Sequence, residues 1–259
     1  MDLGLKGRVA VVTGASRGIG LAIAQALAAE GVQVVAAART SSDGLDELIQ
    51  KGQARLVEVD LADREGARRL IEAAGDQIDI LVNNVGAAPA RTGGFLSVTD
   101  EQWEEAFNIN LFATVRVTRE ALPVMLARGR GSIVNISSVN AVFPDPGVID
   151  YAATKSALAN FSKGLSKEVG GRGIRVNTVS PGPVETEVWT GSEGIAATVS
   201  QAAGGAPEDV IAQVAASMVT GRFSKPAEVA DAVLMLASDR MGNVTGANIT
   251  VDGGFLTTW

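Results

Sequence analysis

A run of small and β-branched residues, Arg8-Val9-Ala10-Val11-Val12-Thr13, passes directly into the glycine-rich stretch Gly14-Ala15-Ser16-Arg17-Gly18-Ile19-Gly20. An apolar run this short reads as a buried parallel strand, and the glycines allow the backbone to turn tightly out of it. Ile19, Ala22, Ile23, Ala26 and Leu27 then recur at helical spacing, which predicts a helix from near Gly18 that Gly31 stops. Residues 32–38 restart a strand, completing one βαβ unit. Further strands are expected near residues 55–59, 78–82, 132–136, 175–179 and 248–251, with helical patterns between them. The fold class is therefore α/β: a doubly wound parallel sheet of about seven strands with helices on both faces, spanning 1–259 as one domain.

Composition removes whole classes of chemistry. The 259 residues are 46% hydrophobic, enough for one substantial core. No window holds the ~18 uninterrupted apolar residues that cross a bilayer, and the N-terminus enters its first strand without a signal-peptide core, so no membrane partner and a cytoplasmic location are expected. Cysteine and histidine are both absent, which excludes disulfides, thiolate nucleophiles, histidine triads and the common zinc sites. Acid–base work falls to Tyr, Lys, Asp or Glu. A formal charge of −7 and the lack of a basic stripe argue against nucleic acid.

Two helical patterns, residues 101–126 and 151–169, are long and rich in Ala, Leu, Val and Phe, suited to covering the sheet or to packing a second subunit. Between Glu187 and Pro207 the chain is Gly-, Ala- and Ser-rich with poor periodicity, and reads as a mobile lid extending to about residue 220.

The chemistry centres on the only tyrosine, Tyr151. Lys155 follows at i+4, on the same helical face, where its ammonium can favour the ionised phenol and bring an acid of pKa ~10 into use near neutrality. Ser138 precedes them. At the first turn Gly14, Gly18 and Gly20 let backbone approach a diphosphate over the positive end of a helix. Their spacing is Thr-Gly-x-x-x-Gly-x-Gly rather than Gly-x-Gly-x-x-Gly. In these motifs, and in Asp60-Leu61, Asn83-Asn84-Val85-Gly86, Asn110 and Pro181-Gly182-Pro183 with Thr186, the chain resembles the short-chain dehydrogenase/reductase family from Lys6 to Phe255. One position departs from the pattern: Val85 stands where the family usually has alanine.

The resemblance implies a Rossmann-type enzyme that interconverts a ketone and a secondary alcohol with a nicotinamide cofactor. Ser138 then orients the carbonyl, Tyr151 passes the proton, and Lys155 assists the phenol and bonds the nicotinamide ribose. Asn110 holds a water that links the lysine to solvent. The cofactor is expected against Gly14, Ser16, Arg17, Gly18, Ile19, Gly20, Asp60, Leu61, Asn83, Val85, Gly86, Pro181, Gly182, Val184 and Thr186, besides Tyr151 and Lys155. The resemblance also implies a homotetramer, with a dimer as the alternative.

NADP(H) is preferred over NAD(H), which remains usable. Members selective for NAD place an acid at the end of the second strand, whereas here Arg39, Thr40 and Ser41 stand there, with Arg17 nearby to pair a 2′-phosphate. Substrate is expected against Ser138, Asn140, Val142, Pro144, Val148, Pro183 and Trp189, a mostly apolar set suited to a small-molecule carbonyl or alcohol. Two other readings stay open. One is a 3-oxoacyl-thioester reductase, with Arg128, Arg130 and Arg172 either receiving an acidic acyl carrier protein or capping helix ends. The other is a non-catalytic cofactor-binding regulator, which would have no need of the proton relay.

Overall fold

The computed structural model describes residues 2–257, so the ends of the expected 1–259 domain, residues 1, 258 and 259, lie outside the described residues. Strands β1 (Val9–Thr13), β2 (Gln33–Ala38) and β3 (Ala54–Glu58) alternate with helices α1 (Gly18–Ala29), α2 (Asp43–Gln50) and α3 (Gly66–Ala74). The second half carries β4 (Ile80–Asn83), α4 (Asp100–Phe107), α5 (Ala113–Arg128), β5 (Gly131–Ile136), α6 (Ile149–Val169) and β6 (Ile174–Pro181). It closes with α7 (Glu187–Thr190), α8 (Ile195–Ala203), α9 (Pro207–Ala216), α10 (Pro226–Ala237) and β7 (Asn248–Val251). All seven strands join one sheet in the order β3-β2-β1-β4-β5-β6-β7, every pairing parallel.

Side chains alternate along each strand, so one strand feeds two cores. Ala10 and Val12 of β1 join a cluster with Ile23 and Leu27 of α1, Leu45 of α2 and Val233 of α10. Val11, between them, joins the opposite cluster with Leu70 of α3, Val117 of α5 and Val169 of α6. The strand order reverses at β1, which pairs β2 on one edge and β4 on the other. Connections leave β1 and β4 in opposite directions there, and a crevice opens beyond their C-terminal ends.

Two expectations change. The long pattern over 101–126 is interrupted by a π-helical turn, Asn108–Phe112, between α4 and α5. The stretch read as aperiodic, 187–207, is instead built from helices α7, α8 and the start of α9. Alanine-rich runs have high helix propensity even when too short to display a clear apolar face. Gly191, Gly194, Gly204 and Gly205 fall between these helices and break them.

Candidate active site

At the end of β1 the chain makes its glycine turn, with Gly14 at φ 64° and Gly18 at φ 54°, conformations that favour glycine. Thr13 and Asn84 tie the turn to the end of β4. The Thr13 hydroxyl accepts from the amides of Asn84 and Val85 at 2.9 and 3.0 Å, and Asn84 Nδ2 donates to the Thr13 carbonyl at 3.0 Å. A Cβ at Gly20 would collide with the Gly14 carbonyl, and one at Gly14 would stand 3.2 Å from Val85 Cα. Helix α1 begins here with no side-chain cap, leaving its first amides to face the crevice. Gly18 and Thr186 meet across the crevice, since a Cβ on Gly18 would lie 3.3 Å from Thr186 Cγ2.

Beyond this cradle Ser138, Tyr151 and Lys155 converge on one cavity of about 330 Å³. Ser138 follows β5, where its hydroxyl accepts from the Asn140 amide at 3.1 Å and stands near enough to the Tyr151 phenol to favour its ionised form. Lys155 is 3% exposed; its Nζ donates to the Ile136 carbonyl at 2.8 Å and lies 5.4 Å from the centre of the Tyr151 ring. The i, i+4 spacing thus brings the two together, but the electrostatic sign differs from the sequence expectation. Burial pushes the phenol above the ordinary tyrosine range, and the nearby Ser138 hydroxyl only partly opposes it. Burial likewise draws the Lys155 ammonium down to about 8. Desolvation is the largest cause for both groups.

Asn110 lies in the π turn and is 1% exposed. Its Nδ2 donates to the carbonyls of Ala87 and Ala106, and its Oδ1 accepts from the Ala87 amide, all at 3.0 Å. The side chain is therefore committed to backbone. Gly86 permits this approach, since a Cβ there would sit 2.7 Å from Asn110 Oδ1 and 3.7 Å from Lys155 Nζ.

Of the residues expected at the cofactor, Gly14, Arg17, Gly18, Ile19, Val85, Gly86, Tyr151, Lys155, Pro181, Gly182, Val184 and Thr186 line the cavity. Arg39, Thr40 and Asp60 are exposed past its rim, and Ser16 is half-buried there. Gly20 is buried beneath the turn, and Leu61, 4% exposed, belongs to the core on the α3 face. The resemblance implies that Asn83 both shapes the cofactor floor and braces the sheet, and the second role is the one seen: buried on β4 outside the cavity lining, it donates to Asn135 Oδ1 at 2.8 Å and Thr118 Oγ1 at 3.1 Å.

On the substrate side Ser138, Asn140, Val148, Pro183 and Trp189 line the cavity as expected, but Pro144 and Val142 do not. Val142, Phe143 and Pro144 face solvent outside the cavity, with Phe143 packed edge-on to Phe255 at 5.9 Å. Asp145, Phe255, Ile195 and Val214 take their place in the wall. Nothing local in the sequence marks these four, which are assembled from a loop, the segment after β7 and two helices. Trp189 is steadied edge-on against Phe223 at 5.1 Å.

Arg128 and Arg130 both reach Asp79 Oδ1 at 3.3 Å, at the N-terminal ends of the strands and away from the cavity. Arg172, just before β6, belongs to that same end. Within one chain these arginines do not form a rim around the opening. Among the described residues no cluster suited to a metal ion occurs, and no helix is long and apolar enough to cross a membrane.

Residues 14–256 match a family model described as enoyl-(acyl carrier protein) reductase. The chain is 35% identical to a 3-oxoacyl-[acyl-carrier-protein] reductase of Thermotoga maritima over 97% of its own length and 99% of the relative's. It is 40% identical to L-xylulose reductase of Bos taurus over the full length of both. Among solved structures, L-sorbose reductase from Gluconobacter frateurii, complexed with NADPH and L-sorbose, superposes with a TM-score of 0.90 at 36% identity, covering all of both chains. The chain belongs to the short-chain dehydrogenase/reductase family. As a short-chain dehydrogenase/reductase it is an oxidoreductase acting on a CH–OH and carbonyl pair. The glycine cradle and the open floor at Gly86 fit the dinucleotide that such enzymes use.

Proposed function

We propose that the protein interconverts an uncharged ketone and its secondary alcohol with NADP(H), reduction being the favoured direction. The observation that carries this is the meeting of Ser138, Tyr151 and Lys155 in one cavity beside the glycine cradle. A reduced nicotinamide bound in the cradle supplies the hydride. Ser138 and Tyr151, which line the same cavity, offer two hydroxyls to a single carbonyl oxygen. Tyr151, kept protonated by burial, is the general acid that delivers the proton. This two-donor seat favours a carbonyl over the carbon–carbon double bond named in the family model's description.

The preference for NADP(H) rests on Arg39 and Thr40, exposed at the end of β2 beside the glycine turn. Arg39 makes no ion pair among the described residues. Arg17 pairs with Glu187 at 3.3 Å, both side chains largely exposed, a contact that a 2′-phosphate readily displaces. The NADPH-bound L-sorbose reductase supports the same choice. The cations lining the cavity among the described residues are Arg17 and Lys155, both taken up by the cofactor in this reading, while Asp145 and Glu187 add negative charge, so no cation is left to anchor a carboxylate substrate. That wall favours sugar-like or simple ketones over 2-oxo acids. The carrier-bound thioester reading keeps the support of the Thermotoga relative, though not of arginines near the opening.

We also read the protein as a cytoplasmic homotetramer. Phe95, Leu96 and Phe112, exposed by 61%, 95% and 46%, place apolar surface before and after α4 that a second copy could cover. Light scattering checks the assembly, and a monodisperse monomer would refute it.

The functional test is steady-state kinetics with NADPH and NADH against a panel of ketones, ketoses, 2-oxo acids and 3-oxoacyl thioesters. Expected are turnover of neutral ketones, a higher kcat/KM with NADPH, and selective loss of that preference in Arg39→Asp. A higher kcat/KM with NADH overturns the cofactor choice, and absence of turnover with every carbonyl overturns the activity.

A further inference from the structure

Tyr151 occupies the first turn of α6, a helix whose N-cap residue, Val148, contributes no side-chain bond. First turns without a cap fray, and the acid that this reading places there needs a fixed position. Asp150 supplies the missing contact: its Oδ1 accepts the Tyr151 amide at 2.9 Å. Its other oxygen, Oδ2, takes both Nε and Nη2 of Arg91, at 3.0 and 2.5 Å. With side chains 0% and 12% exposed, Asp150 and Arg91 form the most buried ion pair among the described residues. The Arg91 amide also donates to the Gly147 carbonyl at 2.7 Å.

These bonds join two walls of the cavity. Arg91 ends a segment that begins at Gly86 and includes Ala87 and Ala88, both lining the cavity, with Ala87 held at its other end by Asn110. Gly147 and Asp150 flank Val148 on the opposite wall. A buried ion pair adds little stability beyond an apolar pair of the same shape, but with two Arg91 donors on one oxygen and the Tyr151 amide on the other, the Asp150 carboxylate is held in one orientation. We infer that Arg91 and Asp150 are positioning residues: together they replace the absent helix cap, fix the Tyr151 ring against Ser138 and Lys155, and set the width between the two pocket walls.

This inference rests on Tyr151 as the general acid. Displacing a reacting group by about 1 Å can cost ~100-fold in rate, so a lost clasp should appear in kcat. The test compares Arg91→Met/Asp150→Leu, which removes both charges and leaves neither alone in the interior, with Arg91→Lys and Tyr151→Phe. Thermal midpoint, NADPH Kd, and kcat and KM on one ketone are measured for each. Expected for the double variant are a midpoint and NADPH Kd close to wild type, KM within about threefold, and kcat lower by ~10-fold or more. Arg91→Lys, which keeps the charge and one donor, should recover most of that kcat even if the double variant folds poorly. Wild-type kcat in the double variant overturns the positioning role, as does a loss that falls equally on NADPH Kd, KM and kcat, or an Arg91→Lys with no recovery. An active Tyr151→Phe would instead remove the acid assignment, so the two failures are distinguishable.

Discussion

Tyr151 and Lys155 sit within one turn of each other, and burial moves both toward their neutral forms. Tyr151→Phe removes the proton donor while the ring still packs, so kcat should fall by ~100-fold or more with cofactor affinity unchanged. Stopped-flow or steady-state assays decide it, and near-normal kcat would sink the role. Lys155 makes a separate prediction about stability. Its folded pKa of about 8 lies below its ordinary 10.5, so the folded chain disfavours the ammonium. Between those values the unfolded chain binds more protons, and the Lys155 contribution to stability rises with pH across that window, by up to ~3 kcal/mol. The penalty is fully present below about pH 8. Denaturant midpoints of wild type and Lys155→Met should therefore converge as pH rises; parallel curves would contradict the burial argument. The spacing of 151 and 155 was legible from the sequence because helical periodicity alone fixes it. The sign of the tyrosine shift was not, because it depends on how much chain from elsewhere excludes water.

Helices α7, α8 and α9 form one wall of the cavity through Trp189, Ile195 and Val214. Glycines at 191, 194, 204 and 205 separate them, so the helices can move as units about their breaks. Hydrogen exchange with NADPH and substrate present should show protection across residues 187–216. Equal exchange in both states would make the wall passive. Here the sequence misled in one respect, since helices of 4, 9 and 10 residues are too short for their periodicity to stand out. The glycine turn and the strands were legible because each is a local pattern with a local cause. Asp145 and Phe255 were not, because only tertiary folding carries them to the cavity.

For the molecule as a whole, parallel runs of Val, Ile and Ala announced a sheet covered on both faces, and the alternation of β1 into two cores is the direct result. What remained hidden was the pairing of distant segments, such as Arg91 with Asp150 or Arg128 with Asp79. The reversal of strand order at β1 also bears on how the chain acquires its shape. Ala10 meets Gln33's neighbour Val34 on one side through a short crossover, but on the other must wait for Ile80. Closing so long a loop is entropically slow, and until it happens β1 presents a bare apolar edge. The crevice that reads as the cofactor cradle is this same seam, so it comes into being only at the late, non-local step. Refolding should accordingly regain helical circular dichroism before it regains NADPH binding, and simultaneous recovery of the two signals would count against a late-closing seam. NADPH, engaging only the closed seam, should then slow unfolding and act as a folding sink for the newly made chain.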